Sequence, residues 1–313
     1  MLGSPHAFAV EPAQKVVRLG FVDQQFPSTV GDITQFWQRL RELGWVEGQN
    51  LVVERRWAEG HAERLPELMN EMVADKVDVI VTYSTPAAIA AKNATRTIPI
   101  VAVAMGDPIS SGLAASLARP GGNLTGQSMG YGAGVEGKWL ELLQETVPRL
   151  STVAVIENPG NPAVRDQAKA LKAFAPTRGL KLRFIDVREP DVFPNAFKQA
   201  RREAQAVLVL ADPLTTANRT QITALAAEHR LPAMYTLHPF MDAGGLIAYA
   251  PDMAVMFRRA ADYVDKIVKG AKPAELPIEQ PTQYLLVVNL KTARTLELTI
   301  PESILQRADE VIR

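Results

Sequence analysis

The chain has 313 residues, enough for two lobes of ordinary domain size, each with its own core. Its 34 lysines and arginines balance 34 aspartates and glutamates, which argues against a nucleic-acid binder with its usual basic surplus. Cysteine is absent, so disulfides, thiolate nucleophiles and cysteine-based metal sites are excluded together.

Residues 1–10 contain Ala7-Phe8-Ala9, the small-x-small pattern of a signal-peptidase site, without a basic start or a long apolar stretch before it. Residues 1–14 read either as the remnant of a signal peptide or as a short tail. No run of about 18 apolar residues follows, so no segment reads as membrane-spanning.

The first half opens with the apolar run 16–22 and a polar loop, Asp23-Gln24-Gln25-Phe26. A helical pattern around Phe36, Leu40 and Leu43 stops at Gly44 and returns as the apolar run 51–53. A helix over 65–73 leads to a strand over 77–81, whose end opens into Ser84-Thr85-Pro86. The next strand, 98–103, ends in Gly106-Asp107-Pro108 with Ser110 and Ser111, and a short helix is predicted over 112–117. These strands are continuously apolar rather than alternating, as in a parallel sheet covered on both faces. Arg119-Pro120-Gly121-Gly122-Asn123 is a turn, and the glycine-rich stretch 126–137 reads as a crossing into a second lobe.

The second half repeats the scheme. A strand over 153–156 ends in Asn158-Pro159-Gly160-Asn161, and a helix through Val164, Ala168 and Leu171 stops at Gly179. The return strand is 180–187, a helix runs over 192–200, and the strand 206–210 opens into Asp212-Pro213-Leu214-Thr215. A further strand, 231–234, is followed by Tyr235 and His238. Residues 242–251 read as a second crossing, 253–268 as an amphipathic helix, 270–281 as a loop, 284–288 as a last strand and 290–298 as a short helix. The expected fold is α/β: two doubly wound parallel-sheet lobes joined by a multi-strand hinge. Lobe one is assigned 15–126 plus 247–281, and lobe two 127–246 plus 282–313. Polar loops at equivalent strand ends of two such lobes imply a cleft, and a cleft implies a small ligand.

Ser84-Thr85-Pro86 has a hydroxyl at the N-cap and proline at the start of the helix, leaving backbone N–H groups open to a carboxylate or phosphate. An ordinary cap without a ligand reads the same way. Asp107 suits either a ligand ammonium or the cap of the following helix. Asp212 and Thr215-Thr216 occupy the matching place in the second half, and Asn158 with Asn161 offers donors and acceptors, or simply a turn. Phe26, Tyr83, Tyr131, Tyr235 and Phe240 lie near strand ends and offer apolar walls, although core packing would use them equally well. Ser128 has no paired base in the pattern. The four histidines show no metal-ligand spacing, and no glycine-rich phosphate loop or nucleophile elbow is present, so no metal and no cofactor is expected.

At this point the sequence resembles the ABC-transporter substrate-binding proteins of the periplasmic-binding-protein type I fold, in the branch with tryptophan- and tyrosine-binding members. The stretches that carry the resemblance include Leu43-Gly44-Trp45-Val46-Glu47-Gly48, Ser84-Thr85-Pro86, Gly106-Asp107-Pro108 and Leu117-Ala118-Arg119-Pro120-Gly121-Gly122-Asn123. In the second half they are Leu231-Pro232-Ala233-Met234-Tyr235, Ala243-Gly244-Gly245-Leu246 and Asn289-Leu290-Lys291-Thr292-Ala293. The resemblance implies a periplasmic protein, monomeric in this role, that captures a small solute and presents it to an ABC permease in the inner membrane. It implies that residues 1–14 are the tail of a signal peptide. Ser84 and Thr85 match the place where the family holds a ligand carboxylate, and Asp212 with its threonines matches the second-lobe contact loop. The first loop departs from the family's serine- and proline-rich pattern.

Taken together, the expected ligand contacts are Asp23, Phe26, Tyr83, Ser84, Thr85, Asp107, Ser128, Asn158, Asp212, Thr215, Tyr235 and His238. The expected ligand is an amino acid or a related aromatic or aliphatic carboxylate. A sugar or nucleoside, met by Asp23, Gln24, Gln25, Asn158 and Asn161, is the alternative on the same fold. A cleft isomerase using Asp23, Asp107 and His238 is the alternative from another class.

Overall fold

The structure, a computed structural model, describes residues 16–25, 33–132 and 134–313. Phe26 and the signal-peptide reading of residues 1–14 lie outside the described residues.

The first lobe runs β1 (Val17–Asp23), α1 (Ile33–Glu42), β2 (Leu51–Trp57), α2 (Leu65–Ala74), β3 (Val79–Tyr83), α3 (Thr85–Ala94), β4 (Ile100–Met105) and β5 (Leu124–Ser128). Among the described residues these strands form one parallel sheet in the order β2-β1-β3-β4-β5. Alternate residues explain the unbroken apolar runs. Phe21, Val81 and Val101 face one core with Phe36 and Leu40 of α1, while Val22, Ile80 and Ala102 face the other with Met69, Met72, Ala87 and Ala91 of α2 and α3.

The second lobe runs α4 (Val135–Thr146), β6 (Thr152–Glu157), α5 (Pro162–Phe174), β7 (Lys181–Asp186), α6 (Phe193–Glu203), β8 (Ala206–Val209), α7 (Pro213–Ala217), α8 (Arg219–Glu228), β9 (Ala233–Tyr235), α9 (Pro239–Asp242) and β10 (Ile247–Pro251). Then come α10 (Met253–Val268), β11 (Tyr284–Asn289), α11 (Leu290–Thr295), α12 (Glu302–Leu305) and β12 (Glu310–Ile312). The second sheet has the order β12-β11-β10-β9-β8-β6-β7, with β11 antiparallel to β10 and the other pairs parallel. Two α/β lobes are thus present as expected, each with a predominantly parallel sheet.

The segment 247–281, assigned to the first lobe from sequence, is divided. β10 belongs to the second sheet, while α10 crosses back and covers the first. The reason is the burial of α10: Phe257 stacks on Tyr83 at 5.7 Å between ring centroids, and Asp262 Oδ1 accepts from Arg39 Nε of α1 at 2.8 Å. The helix expected over 112–117 does not form. Gly112 takes a left-handed φ of 68°, and Lys92 Nζ of α3 donates to the carbonyls of Gly112 (2.7 Å) and Leu113 (2.8 Å), so those acceptors are met without helical bonds.

Three chain passages link the lobes: the exit from β5, the junction of β10 and α10, and the approach to β11. They are tied together. Ser128 N donates to Glu279 O at 2.9 Å, Glu279 N to Gly126 O at 3.0 Å, and the Tyr284 hydroxyl to Met129 O at 2.7 Å. Gly126 (φ 133°) is required here, because a Cβ would lie 2.0 Å from Ala102 O.

Candidate functional site

The carboxyl ends of β3, β4, β6, β8 and β9 converge on one pocket between the lobes. The first lobe supplies Tyr83, Ser84, Thr85 and Ala104, the linking segment after β5 supplies Met129 and Tyr131, and the second lobe supplies Asn161, Ala163, Ala211, Asp212, Pro213, Thr216 and Leu237.

Ser84 ends β3 and precedes α3. Its backbone is strained, with φ 85° and ψ 159°, and its side chain makes no capping bond to its own helix. The Oγ is buried and without a hydrogen-bond partner. The first intrahelical bond of α3 is Ala88 N to Ser84 O, so the N–H groups of Thr85 and Ala87 precede the ladder and are left open, with the positive end of the helix dipole behind them. Strain at a non-glycine residue costs roughly 1–3 kcal/mol and is kept where it serves a site. Ala104 adds a second such residue on the pocket wall (φ 57°), at the register shift between β4 and β5. The Thr85 side chain is engaged within its own lobe, where Oγ1 accepts from Gly106 N at 2.8 Å and braces β3 against β4.

Asp212 is the acid on the opposite wall. It caps α7 by accepting from Leu214 N at 2.8 Å, and it takes Asn158 Nδ2 (3.1 Å) and Asn161 Nδ2 (2.9 Å) as further donors. Burial raises its pKa above the ordinary carboxylate value, and the bonds from Asn161, Asn158, Leu214 and Thr215 offset only part of that rise. Asn161 in turn caps α5 by accepting from Ala163 N at 3.0 Å. One buried acid therefore fixes the starts of two helices that face the first lobe.

The aromatic walls are braced from behind. Tyr83 rests on Phe257, and Tyr131 meets Trp139 edge-on at 5.8 Å. The Tyr131 hydroxyl is buried without a hydrogen-bond partner. Burial first, then the neighbouring Tyr83, Tyr284 and Glu136, raises its pKa well above the usual tyrosine value, so it is a neutral hydroxyl.

Of the residues expected from sequence, Tyr83, Ser84, Thr85 and Asp212 meet at this pocket, with Asn158 behind Asp212. The others are placed elsewhere. Thr215 closes the capping box of α7, its Oγ1 accepting from Asp212 N at 3.2 Å, and the next residue, Thr216, lines the pocket instead. Tyr235 is in the second core, stacked on Phe240 at 4.6 Å. His238 Nε2 pairs with Leu285 O at 3.0 Å, while its neighbour Leu237 lines the pocket. Ser128 lies in the hinge, its Oγ accepting from Gly130 N at 3.3 Å. Asp107 caps no helix; its Oδ1 accepts from Ile109 N at 2.8 Å within a turn. Asp23 is buried at the end of β1, with Oδ1 accepting from Gln25 N at 2.9 Å and Oδ2 unpartnered.

Sequence reasoning did not single out Ala104, Met129, Ala163, Ala211, Pro213 or Leu237, and it named Thr216 and Asn161 only beside Thr215 and Asn158. The apolar ones carry no signal that separates a pocket wall from a core. Asn161 did, through its place before Pro162 at a helix start. Among the described residues, no cluster of three or more His, Asp or Glu is placed to hold a metal. No described helix is long and apolar enough to cross a membrane.

Two α/β lobes around a pocket that draws on the strand ends of both define a ligand-capturing protein. Residues 26–312 match the family described as ABC transporter substrate binding protein, and the chain belongs to that family. Members are extracytoplasmic solute receptors that deliver to an ABC permease, rather than enzymes. A tyrosine-binding protein of Clostridioides difficile is 24% identical over 263 residues, which is 84% of this chain and 75% of that protein. A Streptococcus pneumoniae ABC domain solved in complex with L-Trp has a TM-score of 0.89 at 24% identity, covering 95% of this chain and all (100%) of that one. The ligand-free, open structure of a Clostridium difficile substrate binding protein with adhesive properties has a TM-score of 0.69 at 23% identity, over 95% of this chain and 99% of that one. The lobes of this chain meet across the cleft, where Ser110 Oγ of the first lobe donates to Asp166 Oδ2 of the second at 2.5 Å.

Proposed function

We propose that the protein captures an amino acid with an apolar or aromatic side chain and delivers it to its permease. The observation that carries this reading is the polarity of the pocket: a buried acid, Asp212, on one lobe faces an open helix start with the unpartnered Ser84 Oγ on the other. An amino acid is the small solute with a cation for the first and a carboxylate for the second. Its side chain would lie against Tyr83, Tyr131, Met129 and Leu237. Among the described lining residues there is no lysine, arginine or histidine, so the carboxylate is met by dipoles and hydroxyls rather than by a counter-ion. The tyrosine and tryptophan named for the relatives support the same class of ligand.

In this reading the protein works in the periplasm as a monomer. A thermal-shift screen of refolded protein tests the ligand class, using amino acids, aromatic carboxylates, sugars and nucleosides. A ligand at a hundred times its Kd stabilises by about 2.7 kcal/mol, which is a clear rise in Tm. Hits among aromatic or large aliphatic amino acids are expected. Hits confined to sugars or nucleosides would overturn the amino acid reading.

A further inference from the structure

The closed lobes touch at one point with no room to spare. Gly106, after β4 in the first lobe, lies under the first turn of α5 in the second. A Cβ on Gly106 would stand 2.4 Å from Ala163 Cβ and 2.9 Å from Ala163 Cα. Neither approach is possible between real atoms. Gly106 is not held in the left-handed region, so nothing in its own backbone calls for glycine. Its N–H is engaged with Thr85 Oγ1, and Ala163 is fastened through Asn161 to Asp212, so each side of the contact is rigidly joined to a wall of the pocket.

We infer that Gly106 is a positioning residue for closure. It is glycine because the second lobe must seat α5 directly on it, and its missing side chain sets how far the cleft can shut. Packed interfaces resist overfilling, so one methyl group here props the lobes apart. The open form, in which α5 swings away with its lobe, has no such conflict. Gly106→Ala therefore folds normally and is biased toward the open state. The inference holds whichever solute is bound.

The test reads closure without a ligand. The chain has no cysteine, so Ser110→Cys with Asp166→Cys places a unique thiol pair across the closed rim. The rate of interlobe linkage by a short thiol-reactive cross-linker then reports how often the lobes meet. Adding Gly106→Ala is expected to slow linkage about tenfold or more. Adding Ala163→Gly to that variant removes the closer of the two clashing atoms and is expected to recover part of the rate. Ala163→Val, which fills the same contact from the other lobe, is expected to slow linkage as well, and it carries the test if Gly106→Ala does not fold. Linkage at the parent rate in the folded Gly106→Ala or Ala163→Val variant would overturn the inference. So would a slowed rate that Ala163→Gly leaves wholly unrelieved.

Discussion

Asp23 shows how burial alone can charge a residue with a pH response. Desolvation at the end of β1 raises its pKa to about 7, against the opposing bonds from the backbone of Gln25 and Gln24. The folded protein therefore holds a proton on Asp23 that the unfolded chain releases near pH 4. Between those values the folded state binds more protons than the unfolded one, so this residue's contribution is full below about pH 4 and is lost as pH rises to about 7. The slope is roughly 1.4 kcal/mol per pH unit within that window. Asp23→Asn keeps the acceptor for Gln25 N and abolishes the titration. Denaturant midpoints measured from pH 4 to 8 are expected to fall less steeply with pH in the variant than in the parent; parallel profiles would show Asp23 to be ionised throughout.

Asp212 is the other decisive residue. Its carboxylate already accepts from Asn158, Asn161 and Leu214, and it is the acid among the pocket's described lining residues. Asp212→Asn puts a donor where both asparagine amides point and removes the partner proposed for a ligand ammonium. Truncating one side of a buried, hydrogen-bonded charge pair costs about 2–5 kcal/mol. The expected result is a loss of affinity of that order by titration, with a smaller drop in the Tm of the ligand-free protein.

At the scale of elements, the proposed site has the start of α3 trade stability for a binding surface. Ser84→Gly relieves the positive φ and removes the free hydroxyl. The variant is expected to be more stable by about 1 kcal/mol and to bind its solute more weakly, a pairing that thermal melts and titration read together. The hinge has the opposite character. Gly126→Ala drives a methyl group into Ala102 O between β4 and β5, and a loss of about 3 kcal/mol or more is expected in chemical denaturation.

Elements also show what the sequence could and could not tell. Strand and helix positions were legible because apolar runs and N-cap residues before proline are local signals, as at Ser84, Asn161 and Asp212. The helix expected over 112–117 failed because a distant residue, Lys92, satisfies the carbonyls that a helix would have used. Tyr235 and Leu237 show a finer limit. β9 spans three residues, too few for alternation to reveal which side chain faces the core and which the pocket. The division of 247–281 was hidden because only tertiary packing, Phe257 on Tyr83 above all, sends α10 back to the first lobe.

At the scale of the molecule, capture is a population shift between open and closed lobes. Moving such an equilibrium from mostly open to mostly closed takes about 5.5 kcal/mol of differential affinity. No single contact in the pocket supplies that. In the proposed reading the polar groups are split, the α3 start and Ser84 on one lobe and Asp212 on the other, so that the closed form alone would engage both ends of one solute. The closed form also brings Ser110 to Asp166 and seats Ala163 on Gly106.

The most direct test is a calorimetric titration of refolded protein with L-tryptophan and L-tyrosine, each beside its amide and its N-acetyl derivative. The account predicts binding of at least one free amino acid, with affinity lost when either the carboxylate or the ammonium is masked. Equal binding of the free and masked forms, or binding of neither amino acid by folded protein that binds a sugar or nucleoside, would contradict it.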